Sequence, residues 1–271
     1  MSSGQAPPNV GRITYRENLT PDLAIIRVQP ADGNAVPDFK AGQFVALGLK
    51  LDGDDRITYR AYSLSSPPEE KGHFEFYIKW ATEPVMGKFT SALFKMGDSG
   101  ELYWRKPAGA FTIENKKADG TPETRRLVLV ASGTGLAPFV SYILHLKSTG
   151  SKRKIALLHG ARYAKELGYH DMFERMAASD QDFTYMATVS RPDHPMSEGW
   201  RGSTGRVETL LGSRLEKIVC EKATPENSFF YICGYQGTID SVVSILTPLG
   251  FVTNRNRRYD GSFDVKIETY G

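Results

Sequence analysis

Leu127-Val128-Leu129-Val130-Ala131 leads almost directly into Gly133-Thr134-Gly135-Leu136-Ala137-Pro138 and then into Phe139-Val140-Ser141-Tyr142-Ile143-Leu144. An unbroken apolar run suits a strand buried on both faces, and such strands belong to parallel sheets covered by helices. The glycine turn that follows leaves the backbone donors of the next helix open to an anion. Strand, glycine turn and helix in that order is the context in which a Gly-rich loop cradles a phosphate. Pro138 stands where the standard dinucleotide fingerprint has its last glycine, so an ordinary glycine turn stays open as the alternative at this point.

The rest of the chain divides around this motif. After it, helices are expected at 136–148, 167–178, 205–220 and 237–247, and strands at 154–159, 183–189, 228–233 and 264–269. That alternation argues for a doubly wound, mainly parallel sheet. Before it, short runs rich in β-branched and aromatic residues are separated by Gly and Pro turns. Examples are Ala24–Val28, Gln43–Leu47, Phe74–Lys79 and Glu101–Trp104, with one helical stretch at Gly87–Lys95. Strands in series without long helices suggest an antiparallel barrel. The expected organisation is an N-terminal antiparallel β-barrel over 1–113, a polar linker over 114–124 and a C-terminal α/β Rossmann-like parallel sheet over 125–271.

Composition excludes several function classes. The net charge of +3 in 271 residues is too mild to imply nucleic acid. No apolar run approaches the ~20 residues that span a bilayer. The start, Met1-Ser2-Ser3-Gly4, has neither the basic nor the apolar character of a secretion signal. Cys220 and Cys233 form no disulfide framework, and Cys220 is expected to be a small buried apolar residue. His73, His145, His159, His170 and His194 show no metal-ligand spacing. The expectation is a cytoplasmic monomer without metal, nucleic acid or membrane partners.

Candidate binding residues gather in a few places. Arg60-Ala61-Tyr62-Ser63 ends a strand-like run and couples a guanidinium fork, an aromatic plane and a hydroxyl. This combination suits a flavin and its pyrophosphate, although a cross-strand Arg–Tyr pair is the plainer alternative. Gly87-Lys88-Phe89-Thr90 enters a helix and offers backbone donors and a hydroxyl to an anion. Tyr77, Ile78 and Lys79 join the candidate cofactor set. Arg162, Ser190-Arg191 and Arg206 fall at expected strand or helix ends, at the carboxyl edge where parallel sheets bind ligands. An Arg fork beside a hydroxyl suits a 2′-phosphate, favouring NADP over NAD. Gly234 after Cys233 permits close approach of a ligand to the backbone. Two dinucleotide sites in one chain imply hydride transfer between them.

Arg60-Ala61-Tyr62-Ser63, Gly87-Lys88-Phe89-Thr90, Lys106-Pro107-Ala108-Gly109, Gly133-Thr134-Gly135-Leu136-Ala137-Pro138 and Cys233-Gly234, in this order, resemble the ferredoxin–NADP reductase family, particularly its bacterial members. The resemblance implies FAD in the barrel, with Arg60 on the pyrophosphate, Tyr62 on the flavin face and Ser63 at its N5 edge. It implies NADP(H) on the loop Gly133, Thr134, Gly135, Ala137 and Pro138, with Ser190 and Arg191 on the 2′-phosphate and Cys233 beside nicotinamide C4. Glu268-Thr269-Tyr270 resembles the family's acidic-x-aromatic ending, although Gly271 follows here. Tyr270 is then expected to cover the flavin and yield to nicotinamide, and Glu268 to position nicotinamide or relay a proton. Ser63, Cys233, Glu268 and Tyr270 form the candidate catalytic set. The implied partner is an acidic one-electron carrier, ferredoxin or flavodoxin. Two alternatives are a stand-alone oxygenase reductase and a non-enzymatic redox-sensing subunit. The cationic run Asn254-Arg255-Asn256-Arg257-Arg258 reads either as a solvated loop or as a docking patch for the carrier.

Overall fold

The structure is a computed structural model that describes residues 8–51, 53, 55–82, 86–97, 100–219 and 221–270. The amino-terminal residues 1–7, Cys220 and Gly271 therefore lie outside the described residues. Two compact units emerge: residues up to Thr112 together with Val140–His145, and Ile113–Phe139 together with Leu146 onward.

In the first unit, strands β1 (Asn9–Thr20), β2 (Leu23–Pro30), β3 (Phe44–Lys50), β4 (Ile57–Ser63), β5 (Phe74–Lys79) and β6 (Glu101–Trp104) form one sheet in the order β4-β3-β6-β1-β2-β5. Its pairings are antiparallel. The Leu64–Phe76 bridge and the 2.8 Å bond from Ser65 N to Glu75 O join the two outer strands, which closes the sheet into a barrel. Closure removes the exposed edges that an open sheet would present. Side chains alternate across each strand, so Ile26, Val28, Val45, Leu47, Phe74, Phe76 and Leu102 fill one core. Each such fully buried side chain contributes ~1.5–3 kcal/mol of transfer free energy. Helix α1 (Lys88–Lys95) adds Phe89 and Leu93 to that core.

The second unit holds β7 (Arg126–Ser132), β8 (Ile155–Ala161), β9 (Phe183–Val189), β10 (Ser203–Thr204), β11 (Ser228–Gly234) and β12 (Val265–Thr269). They lie in the order β10-β9-β8-β7-β11-β12, and every pairing is parallel. Helices α2 (Ala137–Ser148), α3 (His170–Ser179), α4 (Ser213–Val219) and α5 (Gln236–Leu246) connect them. Strand order reverses between β7 and β11, the switch point at which sheets of this kind bind ligands.

The helix expected over 205–220 is broken. A short 3-10 turn covers Val207–Leu210, Gly212 takes φ +68°, and α4 starts only at Ser213. The left-handed backbone at Gly212 cannot continue a right-handed helix. The helix expected over 167–178 starts at His170, because Tyr169 adopts φ +60° as its N-cap. Residues 114–124 are ordered: Lys116 bridges Pro122, Lys117 N bonds Thr121 O at 2.8 Å, and Glu123 is buried.

Candidate functional site

The glycine turn sits at the switch point. Gly133–Leu136 is a 3-10 turn between β7 and α2, and Gly133 takes φ +56°, a region that L side chains avoid. Gly135 is constrained by space instead. A Cβ there would lie 2.2 Å from Cys233 O, 2.5 Å from Cys233 C and 2.8 Å from Gly234 N. Gly234 meets β7 in the same way, with φ +154° and a Cβ position 2.9 Å from Ser132 Cβ. The turn after β7 and the end of β11 are thus interlocked backbone to backbone, which only glycine permits. Ala137 and Pro138 are buried beneath the turn, while Gly133 and Thr134 stay half-exposed. A cradle this close to a helix start fits the diphosphate of a dinucleotide.

The structure brings Cys233, Glu268 and Tyr270 together. Cys233 pairs in register with Glu268 across β11 and β12, and Tyr270 N bonds Gly234 O at 3.1 Å. Cys233 Sγ lies 3.9 Å from Glu268 Oε2. The thiol is fully buried. Burial first, and the Glu268 charge second, push its pKa well up, against an opposing hydrogen bond from Tyr270. Cys233 therefore stays a neutral thiol at the sheet edge, suited to packing and orientation and not to nucleophilic attack.

The cations predicted for the 2′-phosphate also fall at carboxyl edges. Ser190 N bonds Ala161 O and Arg191 N bonds Arg162 O, each at 3.0 Å, so the segments leaving β8 and β9 run side by side. Arg162, Ser190, Arg191 and Arg206 are exposed. Arg191 Nη1 donates to Tyr163 Oη at 3.2 Å, and the Tyr163 ring lies 4.3 Å from the His194 ring. Arg206 is the N-cap of the Val207–Leu210 turn and not the first residue of a long helix. The sequence reading did not place Tyr163 and His194 beside Arg191. Their only signal is an aromatic directly after Arg162 and a His three residues after Arg191.

In the barrel, the two predicted flavin segments meet. The Tyr62 ring on β4 lies 5.9 Å from the Phe89 ring on α1 at 34°. Burial pushes the Tyr62 phenol well above its ordinary value, which keeps the ring neutral. Arg60 and Ala61 are exposed, and Arg60 donates one bond to Tyr59 O at 2.9 Å. Ser63 is buried and pairs with Phe44 across β3. Thr90 Oγ1 accepts from Ala81 N and donates to Gly87 O, both at 3.2 Å, so its hydroxyl is already engaged by backbone. Lys88 is exposed at the first turn of α1. Tyr77 and Ile78 are buried, Ile78 within the barrel core, and Lys79 Nζ lies 3.4 Å from Asp22 Oδ2. The Ile78 side chain therefore faces other apolar residues. Ala108 exchanges two 2.9 Å backbone bonds with Phe44, and Gly109 takes φ +113°.

A pocket of about 420 Å³ lies at the opposite, amino-terminal end of β7, β11 and β12. Four of its charged residues are paired with one another. Asp264 binds Arg125 at 2.7 Å and also Arg258, while Glu123 binds Arg125. Among the described residues no cluster of His, Cys, Asp and Glu could hold a metal, and no helix is long and apolar enough to cross a membrane.

Known proteins align with both units. Residues 11–113 match the oxidoreductase FAD-binding domain family, and residues 129–244 match the oxidoreductase NAD-binding domain family. One component of the Na(+)-translocating NADH-quinone reductase of Marinomonas sp. (strain MWYL1) is 32% identical over 205 residues, covering 72% of this chain and 47% of that protein. The same component in Shewanella denitrificans is 27% identical over 272 residues, covering 88% of this chain and 64% of that protein. The chain thus spans about half to two-thirds of the length of these curated relatives. Among solved structures, a ferredoxin NADP+ reductase from Neisseria gonorrhoeae with bound FAD and NADP has a TM-score of 0.78 at 22% identity, covering 98% of this chain and 99% of that one. The cytochrome b5 reductase domain of Ulva prolifera nitrate reductase has a TM-score of 0.74 at 18% identity, covering 97% of each chain. Both share the fold.

Proposed function

Because this chain belongs to the ferredoxin–NADP reductase family, we propose that it is a reductase that takes hydride from NADPH and passes single electrons to a ferredoxin or flavodoxin. It is an oxidoreductase with one FAD-binding and one NAD(P)-binding domain. The observation that supports a nucleotide site in the second unit is the interlock of Gly135 with Cys233 at the point where strand order reverses.

Bound FAD supplies the conversion of a hydride into single electrons, and the protein's residues bind, orient and exclude water. Arg60 has donors beyond the one given to Tyr59, and these pair with a pyrophosphate oxygen. Ala61 and the backbone of Tyr77–Lys79 line the same site, and Tyr62 offers its neutral ring face to the flavin. Ser63 contributes a hydroxyl at the strand end, and the first turn of α1, Gly87–Thr90, faces a phosphate with its backbone donors. Gly133, Thr134 and Gly135 cradle the nicotinamide dinucleotide over Ala137 and Pro138. Ser190, Arg191 and Arg206, with Arg162, meet its 2′-phosphate. Cys233 and Gly234 would lie beside nicotinamide, Glu268, in register with Cys233, would position it or relay a proton, and Tyr270 would yield to it.

Stopped-flow reduction of the purified flavoprotein by NADPH and by NADH tests this. Rapid bleaching of the flavin band by NADPH, with NADH much slower, supports the reading. Arg191→Ala should then narrow the preference by roughly an order of magnitude, the worth of one charge-assisted contact of ~1.5 kcal/mol. A second reading has support in the NADH-quinone reductase relatives: an NADH-linked reductase with a different electron acceptor. Equal or faster reduction by NADH, with Arg191→Ala neutral, would replace the first reading with the second.

A further inference from the structure

The cationic run Asn254–Arg258 does not form a uniform solvated patch. Arg258 pairs with Asp264, and Arg257 lies over the Phe263 ring at 4.5 Å. Arg255 goes elsewhere: its Nη2 donates to Thr269 Oγ1 at 2.9 Å. The reason lies in β12, which is the outermost strand of its sheet. The outer backbone groups of such a strand need partners that no neighbouring strand supplies.

Val252 and the first two residues of the run line that outer side in sequence order. Val265 N donates to Val252 O at 3.0 Å, and Asn254 N donates to Val265 O at 2.7 Å. One pleat further on, Ile267 N donates to Asn254 Oδ1 at 3.2 Å. One pleat beyond that, the Arg255 guanidinium reaches Thr269. Val252, Asn254 and Arg255 therefore form an outer rail from Val265 to Thr269: backbone bonds first, then an amide side chain on the Ile267 N–H, then a guanidinium on the Thr269 hydroxyl. On the inner side, Thr269 is in register with Gly234, and its Oγ1 lies 3.5 Å from Gln236 Oε1 at the start of α5. Gln236 is itself held, donating to Asp240 at 2.6 Å. Thr269 is thus gripped from both sides, and it stands between Glu268 and Tyr270.

We infer that Arg255 is a positioning residue: through Thr269 it fixes the end of β12 and so the placement of Glu268 and Tyr270 beside Cys233. The inference rests on the role proposed above for those residues in nicotinamide turnover. It assigns Arg255 to the hydride step and removes it from the docking patch suggested by the charge of the run.

Two readouts on the holoprotein test it. In amide hydrogen exchange, Arg255→Ala should raise exchange at Thr269 and Tyr270 at least tenfold, leaving Phe230–Ile232 in β11 unchanged. In stopped flow, the same variant should lower the limiting rate of flavin reduction about tenfold while nucleotide affinity changes less than twofold. An ångström-scale misplacement of reacting groups is amply sufficient for such a loss. Thr269→Val, which keeps strand propensity but removes the acceptor, should reproduce both effects. The double variant should add nothing, and Arg255→Lys should restore at least half the rate. Unchanged exchange at Tyr270 in Arg255→Ala would overturn the inference. It would equally be overturned if Arg255→Ala slowed only electron transfer to an acidic carrier, with a strong salt dependence, while Thr269→Val was neutral. A parent protein that neither nucleotide reduces would sink the reductase reading, and the exchange experiment would still decide the rail.

Discussion

Gly135→Ala puts the interlocked turn to its hardest test. Gly135 does not take a left-handed φ, so the substitution carries no backbone penalty and its whole effect comes from one methyl group. That methyl would sit 2.2 Å from Cys233 O, 2.5 Å from Cys233 C and 2.8 Å from Gly234 N. These atoms are backbone of a central strand, so no side-chain rotation relieves the overlap. Turn and strand must separate by roughly an ångström to reach ordinary contact. Overpacking of this kind costs ~1–3 kcal/mol, and the rigid surroundings place this case at the upper end. A displacement of that size at a reacting centre is worth about 100-fold in rate.

The assay pairs urea unfolding of the flavin-loaded protein with stopped-flow reduction by NADPH. The expected outcome is a loss of ~2–3 kcal/mol with unchanged m-value and a fall in reduction rate of about 100-fold. Gly133→Ala is the control. Its φ of +56° costs ~1–2 kcal/mol for a non-glycine residue. Its Cβ, however, would meet only the Tyr235 ring at 3.9 Å. It should lose ~1–2 kcal/mol through its backbone alone, with no overlap of turn and strand added. A Gly135→Ala protein that melts with the parent and is reduced at the parental rate would refute the reasoning.

Two further outcomes concern the second unit. Asp264→Asn removes the charge shared by Arg125 and Arg258, and both Asp264 and Arg125 are largely buried. Because Glu123 still faces Arg125, the expected loss is about 3 kcal/mol, the lower end for a broken buried pair, and an unchanged urea midpoint would contradict it. His159 is fully buried and donates to or accepts from Tyr185 Oη at 3.0 Å; burial holds its pKa down to about 3. A folded value below the unfolded ~6.5 means that the unfolded chain takes up a proton which the folded chain refuses. Stability from this group is complete above pH 6.5 and falls by up to ~1.4 kcal/mol per pH unit as pH drops from 6.5 toward 3. Urea midpoints of His159→Gln should show a shallower decline across that window, and imidazole resonances of His159 that titrate near pH 6 would disprove the assignment.

What could be read from the sequence was local, and what escaped it was contact between distant segments. Leu127–Ala131, Phe183–Val189 and Phe74–Lys79 announce strands through composition and run length, and each is a strand in the structure. The barrel followed by a parallel sheet is legible for the same reason, since strands in series mark the first half and alternating strands and helices the second. The expected helix over 205–220 misled because its apolar spacing is helical on both sides of Gly212, and a single left-handed residue separates the pieces. Thr90 was legible as a hydroxyl at a helix start, but the bond it accepts from Ala81 N, just past the end of β5, was not. The glycines at 133 and 135 look equivalent in the sequence. Only the fold separates them, one serving a left-handed turn and the other a strand 2.2 Å from its missing Cβ. The arginines at 255, 257 and 258 likewise carry one charge each, yet one steadies a strand end, one covers a ring and one neutralises Asp264. Charge and periodicity are properties of a segment, whereas the work of a side chain is set by what the fold brings to it.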